Sequence, residues 1–264
     1  MTALPTLDFL IDLTEAAAAE TLPRFRLPLD VDNKRPADFD PVTEADRAAE
    51  RAIRTLIERT HPDHAILGEE YGASGAGDRC WVIDPIDGTR AFISGLPLWG
   101  TLIGFTVGGV ARAGIMHQPF TGERFFADDS GAYAEGPGER HRLAVRQTRS
   151  LDAATLFTTT PRLFTGALAE PYERLERRVR LARYGADCYA FAMLAAGQID
   201  LVVEAGLQPY DIVALIPIIE QAGGVVRRID GSRAETGGDI IAAATPDLWE
   251  EAAAFFRRAD PLER

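Results

Sequence analysis

Residues 80–90 read C-W-V-I-D-P-I-D-G-T-R. Asp84 and Asp87 stand three apart around a proline, directly behind a short apolar run. Pro85 fixes its own φ and biases Asp84 toward extended geometry, so the pair is expected on a bent turn at a strand end. Rigid like charges this close need a counter-charge, and carboxylates, carbonyls and water are the ligands of a hard divalent cation such as magnesium. Gly88-Thr89 then offer free backbone N–H groups and a hydroxyl, which suit phosphate oxygens. Read alone, D-P-x-D-G also describes a surface turn closed by Asx hydrogen bonds. Two further groups weigh against that: Gly68-Glu69-Glu70 ends a second apolar run, and Pro209-Tyr210-Asp211 sets an aspartate at a helix start. A metal-dependent phosphoryl site accounts for all three with one chemistry.

These acids need elements to hold them. Leu7, Leu10, Ile11, Thr14, Ala17, Ala18 and Leu22 recur at helical spacing and predict a helix over 6–23, ended near Pro23. After a polar stretch with Pro28, Pro36 and Pro41, a second helix starts at Thr43 as N-cap and buries a stripe of Ala45, Ala48, Ala49, Ala52, Ile53, Leu56 and Ile57. His61-Pro62 ends it. A-I-L-G at 65–68 and C-W-V-I at 80–83 read as short strands, each running into acids. W-G-T-L-I-G-F-T-V, Gly108-Gly109 and V-A-R-A-G-I-M-H predict a hairpin, extended by a strand at 123–127. Beyond residue 140 the chain alternates: helices at 167–182, 186–197 and 210–222, strands at 200–204, V-V-R-R-I and D-I-I-A-A-A, and a last helix over 246–258. No repeat or long linker interrupts it. The expected organisation is an N-terminal α+β lobe, 1–142, with the first motifs, and a C-terminal α/β lobe, 143–264, with Asp211 and the substrate-reading residues.

The 264 residues suffice for one large core or two lobes sharing an interface, and 46% hydrophobic with 26% charged residues is an ordinary globular composition. A net charge of -12 opposes partners such as nucleic acid or an anionic membrane surface, so an anionic substrate needs locally supplied positive charge. Cys80 and Cys188 form no C-x-x-C pair and read as reduced, small hydrophobes. His61, His64, His117 and His141 have no metal-binding spacing. The N-terminus lacks a positive n-region, and no apolar run approaches the roughly 18 residues of a membrane span, so a cytoplasmic location is expected.

G-E-E at 68–70, D-P-I-D-G-T at 84–89 and P-Y-D-I-V-A at 209–214, with D-P-V-T-E-A-D at 40–46, resemble the motifs of the inositol monophosphatase family of magnesium-dependent phosphatases. The resemblance runs from about residue 5 to 258 and implies a layered α-β-α-β-α sandwich, mixing α+β and α/β character, that hydrolyses a small-molecule phosphate ester, as a homodimer. It implies that Glu69, Asp84 and the carbonyl of Ile86 bind one magnesium, that Asp84, Asp87 and Asp211 bind a second, and that Glu69 helps to hold a third, two to three ions per site. The backbone of Gly88 and Thr89 would hold phosphate, while the Thr89 hydroxyl with Asp46 would orient and deprotonate the attacking water. Glu70 has a weaker claim, because adjacent acids rarely ligate one ion.

Substrate choice must come from elsewhere. Inositol-specific members carry a small G-S-A-A-like segment where this chain has Gly185-Ala186-Asp187-Cys188, and a Trp where it has Tyr210. The G-x-D-C-Y, V-V-E-A and Q-P-Y-D pattern resembles instead the histidinol-phosphate phosphatases of this superfamily. Histidinol phosphate carries an ammonium group and an imidazole, natural partners for carboxylates. Asp187 and Glu204 are the candidates to receive them, although Asp187 also suits a helix N-cap. Arg183 is expected to contact phosphate or to brace Asp187.

Overall fold

The structure, a computed structural model, describes residues 4–28, 30–33 and 41–257. Pro36, Asp40 of the D-P-V-T-E-A-D motif and residue 258 lie outside them. Strands β1 (Asp32–Asn33) and β2 (Pro41–Val42) make a small antiparallel ribbon. The larger sheet holds β3 (Ala65–Gly68), β4 (Gly72–Ser74), β5 (Arg79–Asp87), β6 (Gly100–Val107), β7 (Val110–Gln118), β8 (Glu123–Asp128), β9 (Gly131–Glu135) and β10 (His141–Arg142). Its order is β10-β9-β8-β7-β6-β5-β3-β4, and only β3 and β5 run parallel. The smaller sheet holds β11 (Thr155–Thr158), β12 (Leu181–Tyr184), β13 (Leu201–Leu207), β14 (Val225–Arg228) and β15 (Gly238–Ala243) in the order β12-β11-β13-β15-β14. The helices are α1 (Leu7–Thr21), α2 (Glu44–Thr60), α3 (Thr89–Ile93), α4 (Ala169–Glu176), α5 (Asp187–Ala195), α6 (Pro209–Ile212), α7 (Leu215–Gln221) and α8 (Pro246–Ala253).

Alternation along the strands decides how these pack. Trp81 and Ile83 on β5, with Ile103 and Phe105 on β6, face Leu10, Leu13, Ala49, Ile53 and Ile57 of α1 and α2. Val82, Leu102 and Met116 point to the other face, where they meet Phe191 and Leu194 of α5, Leu215 and Ile218 of α7, and Val202 and Ala242 of the smaller sheet. The opposite face of that sheet, through Leu156, Val203 and Ile241, buries Tyr172 and Leu175 of α4 and Leu248 and Trp249 of α8. The layers are therefore helices, eight-stranded sheet, helices, five-stranded sheet, helices, as the resemblance implied.

The first two helices, the hairpin and the β14–β15 pair lie where the sequence patterning places them. Other expectations are corrected. The helix expected over 167–182 is only α4, because Leu181–Tyr184 instead pairs parallel with β11. The helix expected over 210–222 is broken into α6 and α7: Pro217 has no N–H to give the carbonyl of Val213, so the ladder lapses there. The strand expected at 80–83 continues through both aspartates to Asp87.

That break lies against a notch in the larger sheet. Gly104 and Gly114 face each other across β6 and β7. A Cβ on Gly104 would stand 2.8 Å from the Ala214 nitrogen, and one on Gly114 only 2.1 Å from the Ala214 carbonyl oxygen. The α6–α7 junction thus packs backbone to backbone on the sheet, which sets the depth of Asp211. Gly114→Ala forces these layers apart and is expected to destabilise the fold by roughly 1–3 kcal/mol or more, read as a lower urea midpoint.

Candidate active site

Positions three apart on a regular strand point to opposite faces. Asp84 and Asp87 nevertheless share one site, because β5 carries a bulge between them: Asp84 pairs with Leu102 and Asp87 with Gly100, three steps on one strand against two on the other. The Thr101 hydroxyl holds this irregularity by donating to the Pro85 carbonyl at 2.9 Å. The Ile86 N–H donates to Asp84 Oδ1 at 3.0 Å, while its side chain leaves the site for a pocket of Phe25, Ala45, Phe92 and Trp99. Asp211 arrives from α6, where its Oδ2 accepts the Gln208 N–H at 2.7 Å in a capping box.

One carboxylate oxygen from each of Asp84, Asp87 and Asp211 lies within 4.8 Å of the others. Asp84 is driven well above the ordinary carboxylate range, first by burial and then by the charges of Glu69, Asp87 and Asp211. Burial, with Asp187 and Asp211, does the same to Asp87, while the Cys188 N–H at the start of α5 opposes it by donating to Oδ2 at 2.6 Å. An all-oxygen set of crowded anions fits a hard divalent cation, with Asp84, Asp87 and Asp211 to hold it. Glu69, just past the end of β3, lines the same cavity, and its N–H donates to the Ile83 carbonyl at 3.1 Å.

Asp46 reaches the same place from α2. Oδ2 accepts the N–H and hydroxyl of Thr43, at 2.8 and 2.6 Å, closing the capping box of that helix. Oδ1 faces the Thr89 hydroxyl at 3.4 Å, and that hydroxyl also lies 3.1 Å from the Ile86 carbonyl. Burial, reinforced by Glu69 and opposed by Thr43, raises Asp46 to about 6, a value suited to accepting a proton near neutrality. Gly88 precedes α3 with φ +86, and a Cβ there would stand 3.0 Å from Asp187 Oδ2. Gly88 and Thr89 line the cavity, and N–H groups in a first helical turn have no acceptor within the helix.

The cavity, about 280 Å³, also exposes Asp187, Glu204 and Arg90. Thr159 joins the two acids: its N–H donates to Glu204 Oε1 at 2.6 Å and its hydroxyl lies 3.4 Å from Asp187 Oδ1. Asp187 is not the N-cap of α5, a position held by Ala186; both residues have positive φ, +88 and +43. Left-handed backbone at two consecutive non-glycine residues is strain held by its surroundings, a common mark of a functional position. Asp187 is raised by burial and lowered by the Thr159 hydrogen bond and by Arg90. Arg183, by contrast, is exposed on β12, opposite Phe157, and is not among the described residues that line the cavity. The arginine at the site is Arg90, inside the opening motif. Neither Arg90 nor Thr159 was singled out by sequence reasoning; Arg90 directly follows D-G-T, whereas Thr159 sits in a run of three threonines that carries no signal.

Burial raises Glu204 from 4.5 to about 8. The folded chain therefore holds this proton more tightly than the unfolded chain. The stability contributed by the neutral acid is full below pH 4.5 and is lost as pH rises to about 8, a loss of up to about 5 kcal/mol. Metal-free Glu204→Gln should show a smaller fall in unfolding free energy between pH 5 and 9 than the metal-free parent, measured by urea denaturation.

Comparison with known proteins agrees with this geometry. The description of the inositol monophosphatase family matches residues 4–260. The chain is 38% identical over 252 residues to the bifunctional phosphatase IMPL2, chloroplastic, of Arabidopsis thaliana, covering 91% of this chain and 71% of that protein. It is 36% identical to the histidinol-phosphatase of Chlorobaculum parvum, covering 91% of this chain and 92% of the relative. Among solved structures, an inositol monophosphatase from Zymomonas mobilis superposes with a TM-score of 0.84 at 38% identity, over 94% of this chain and 96% of the other. Carboxylates gathered by a bulge, an aspartate poised beside a threonine hydroxyl, and a match along nearly the whole chain lead to one conclusion: this chain belongs to the inositol monophosphatase family of metal-dependent phosphomonoesterases.

Proposed function

We propose that the chain hydrolyses L-histidinol phosphate to L-histidinol and phosphate, the step that releases the amino alcohol in histidine biosynthesis, with magnesium as the metal. The observation that carries this reading is the Asp187–Thr159–Glu204 group, which lies in the same cavity as Asp84, Asp87 and Asp211. A phosphate ester bound at the metal ligands and at Gly88-Thr89 would extend its alcohol part toward these acids. An ammonium group and an imidazole can be matched there by Asp187 and by Glu204, whose buried carboxyl an approaching cation would draw toward its ionised form; neutral hydroxyls need no such pair. We further propose a homodimer in the cytoplasm, with two to three magnesium ions per site.

Magnesium, when bound, would supply charge to offset the phosphoryl oxygens and to lower the pKa of water. The chain's own groups do the rest. Glu69, Asp84, Asp87, Asp211 and the Ile86 carbonyl would hold the ions, and the N–H groups of Gly88 and Thr89 would hold phosphate oxygens. The Thr89 hydroxyl accepts the proton of the attacking water as it gives its own to Asp46 Oδ1, so the proton leaves the nucleophile without a net change at Thr89. Asp187 and Glu204 orient the amino alcohol, whose oxygen leaves as the P–O bond breaks and takes its proton from a solvent water molecule. A second reading, an inositol-1-monophosphatase or sugar phosphate phosphatase, is favoured by the likeness to the Zymomonas mobilis inositol monophosphatase and by a 35% identity to an inositol-1-monophosphatase of a Synechocystis species.

Side-by-side phosphate release from histidinol phosphate and inositol 1-phosphate separates the two. Asp187→Asn keeps a residue that tolerates left-handed backbone and removes the charge. It is expected to lower kcat/KM for histidinol phosphate by about 10–100-fold, the loss of one charge-assisted hydrogen bond, with little change for inositol 1-phosphate. Equal turnover of both esters by the parent would favour the second reading. Asp87→Asn should abolish turnover of either ester while leaving far-ultraviolet circular dichroism unchanged; near-parental activity in that variant would refute the metal site itself.

A further inference from the structure

Glu50 is fully buried on α2, one turn beyond Asp46, and no part of the chemistry above uses it. Its carboxylate is committed on both oxygens. Oε1 takes the Arg54 Nε–H at 2.7 Å and the Tyr71 N–H at 3.3 Å, and Oε2 takes the Glu70 N–H at 2.7 Å. Arg54, one turn further along, donates to the Ser74 hydroxyl at 2.9 Å and to the Gly72 carbonyl. The pair therefore grips the turn between β3 and β4 from beneath, at the segment that carries Glu69.

Gly68 shows how closely. A Cβ at that position would lie 1.9 Å from Glu50 Oε1 and 2.8 Å from Arg54 Nη2, so the carboxylate occupies the space a side chain would need. Glu69 is fixed on both sides: its own N–H binds the Ile83 carbonyl, the residue before Asp84, and the next N–H binds Glu50. A buried ion pair that only stabilised the fold could be replaced by apolar side chains at little loss. Here the Glu50 carboxylate accepts two backbone N–H groups of a turn whose one cavity-lining residue is Glu69, and Arg54 ties that carboxylate to the start of β4.

We infer that Glu50, braced by Arg54, is a positioning residue that presents Glu69 to the cation, so that one face of α2 sets Asp46 and Glu69 together. This rests on Glu69 being a cation ligand. Groups that orient metal ligands set affinity by about 10–100-fold, and that is the loss expected for Glu50→Ala, read as manganese binding by electron paramagnetic resonance on the full chain. Glu50→Gln keeps one carbonyl oxygen for the Glu70 N–H and should fall between the parent and the alanine variant. Raising magnesium should restore kcat in both, whereas the urea midpoint without metal reports any separate loss of fold. Glu69→Gln is the reference: parental manganese affinity in that variant removes Glu69 as a ligand, and the inference falls with it. Weakened binding by Glu69→Gln beside parental binding by folded Glu50→Ala overturns the inference alone. Should the alanine variant not fold, Glu50→Gln decides, with weakening of about threefold or more supporting the inference and unchanged affinity overturning it.

Discussion

The mutual repulsion of buried carboxylates governs this structure. Among the described residues, Glu69, Asp84, Asp87, Asp187, Glu204 and Asp211 line one cavity with a single arginine, Arg90. Two unit charges at the separation seen among Asp84, Asp87 and Asp211 repel by about 3 kcal/mol or more at an effective dielectric near 20, before desolvation is counted. The chain meets part of that cost with protons, seen in the raised values of Asp84, Asp87 and Glu204, and part with directed N–H groups. What is left over is an affinity for positive charge, which at the Asp84, Asp87 and Asp211 end of the cavity fits a hard divalent cation.

Holding such a site together falls to devices remote from the acids. The bulge in β5 turns Asp87 to the face of Asp84. Asp46 and Asp211 each close the capping box of the helix that carries them, so a carboxylate of the candidate site also secures the start of its own support. The glycine pair on β6 and β7 lets the α6–α7 junction come down onto the sheet.

Much of this was legible in the sequence. The acid motifs, the two N-terminal helices and the hairpin follow from residue types and short-range periodicity, which local physics fixes. The five layers came from the resemblance instead, because no local pattern states how sheets stack. What escaped reading depends on partners distant in sequence. Alternation by itself would put Asp84 and Asp87 on opposite faces, and only pairing with β6 reveals the bulge. β12 is largely exposed, so it shows no alternation, and the arginines just before it, Arg177, Arg178 and Arg180, resemble the end of a helix. Arg183 looked closer to Asp187 than Arg90 because it is four residues away rather than ninety-seven. The strained backbone of Asp187 leaves no trace in residue type.

The notch formed by Gly104 and Gly114 has one more consequence. Asp84 and Asp87 come from a strand of the larger sheet and Glu69 from the turn that follows β3, whereas Asp211 comes from the helical layer that docks on that sheet. An ion shared by Asp84, Asp87 and Asp211 would be a rivet through two layers, and its hold would be a gauge of their docking. Warming that slackened the contact between layers would then release such an ion before either layer melted, ending catalytic competence below the temperature at which secondary structure is lost.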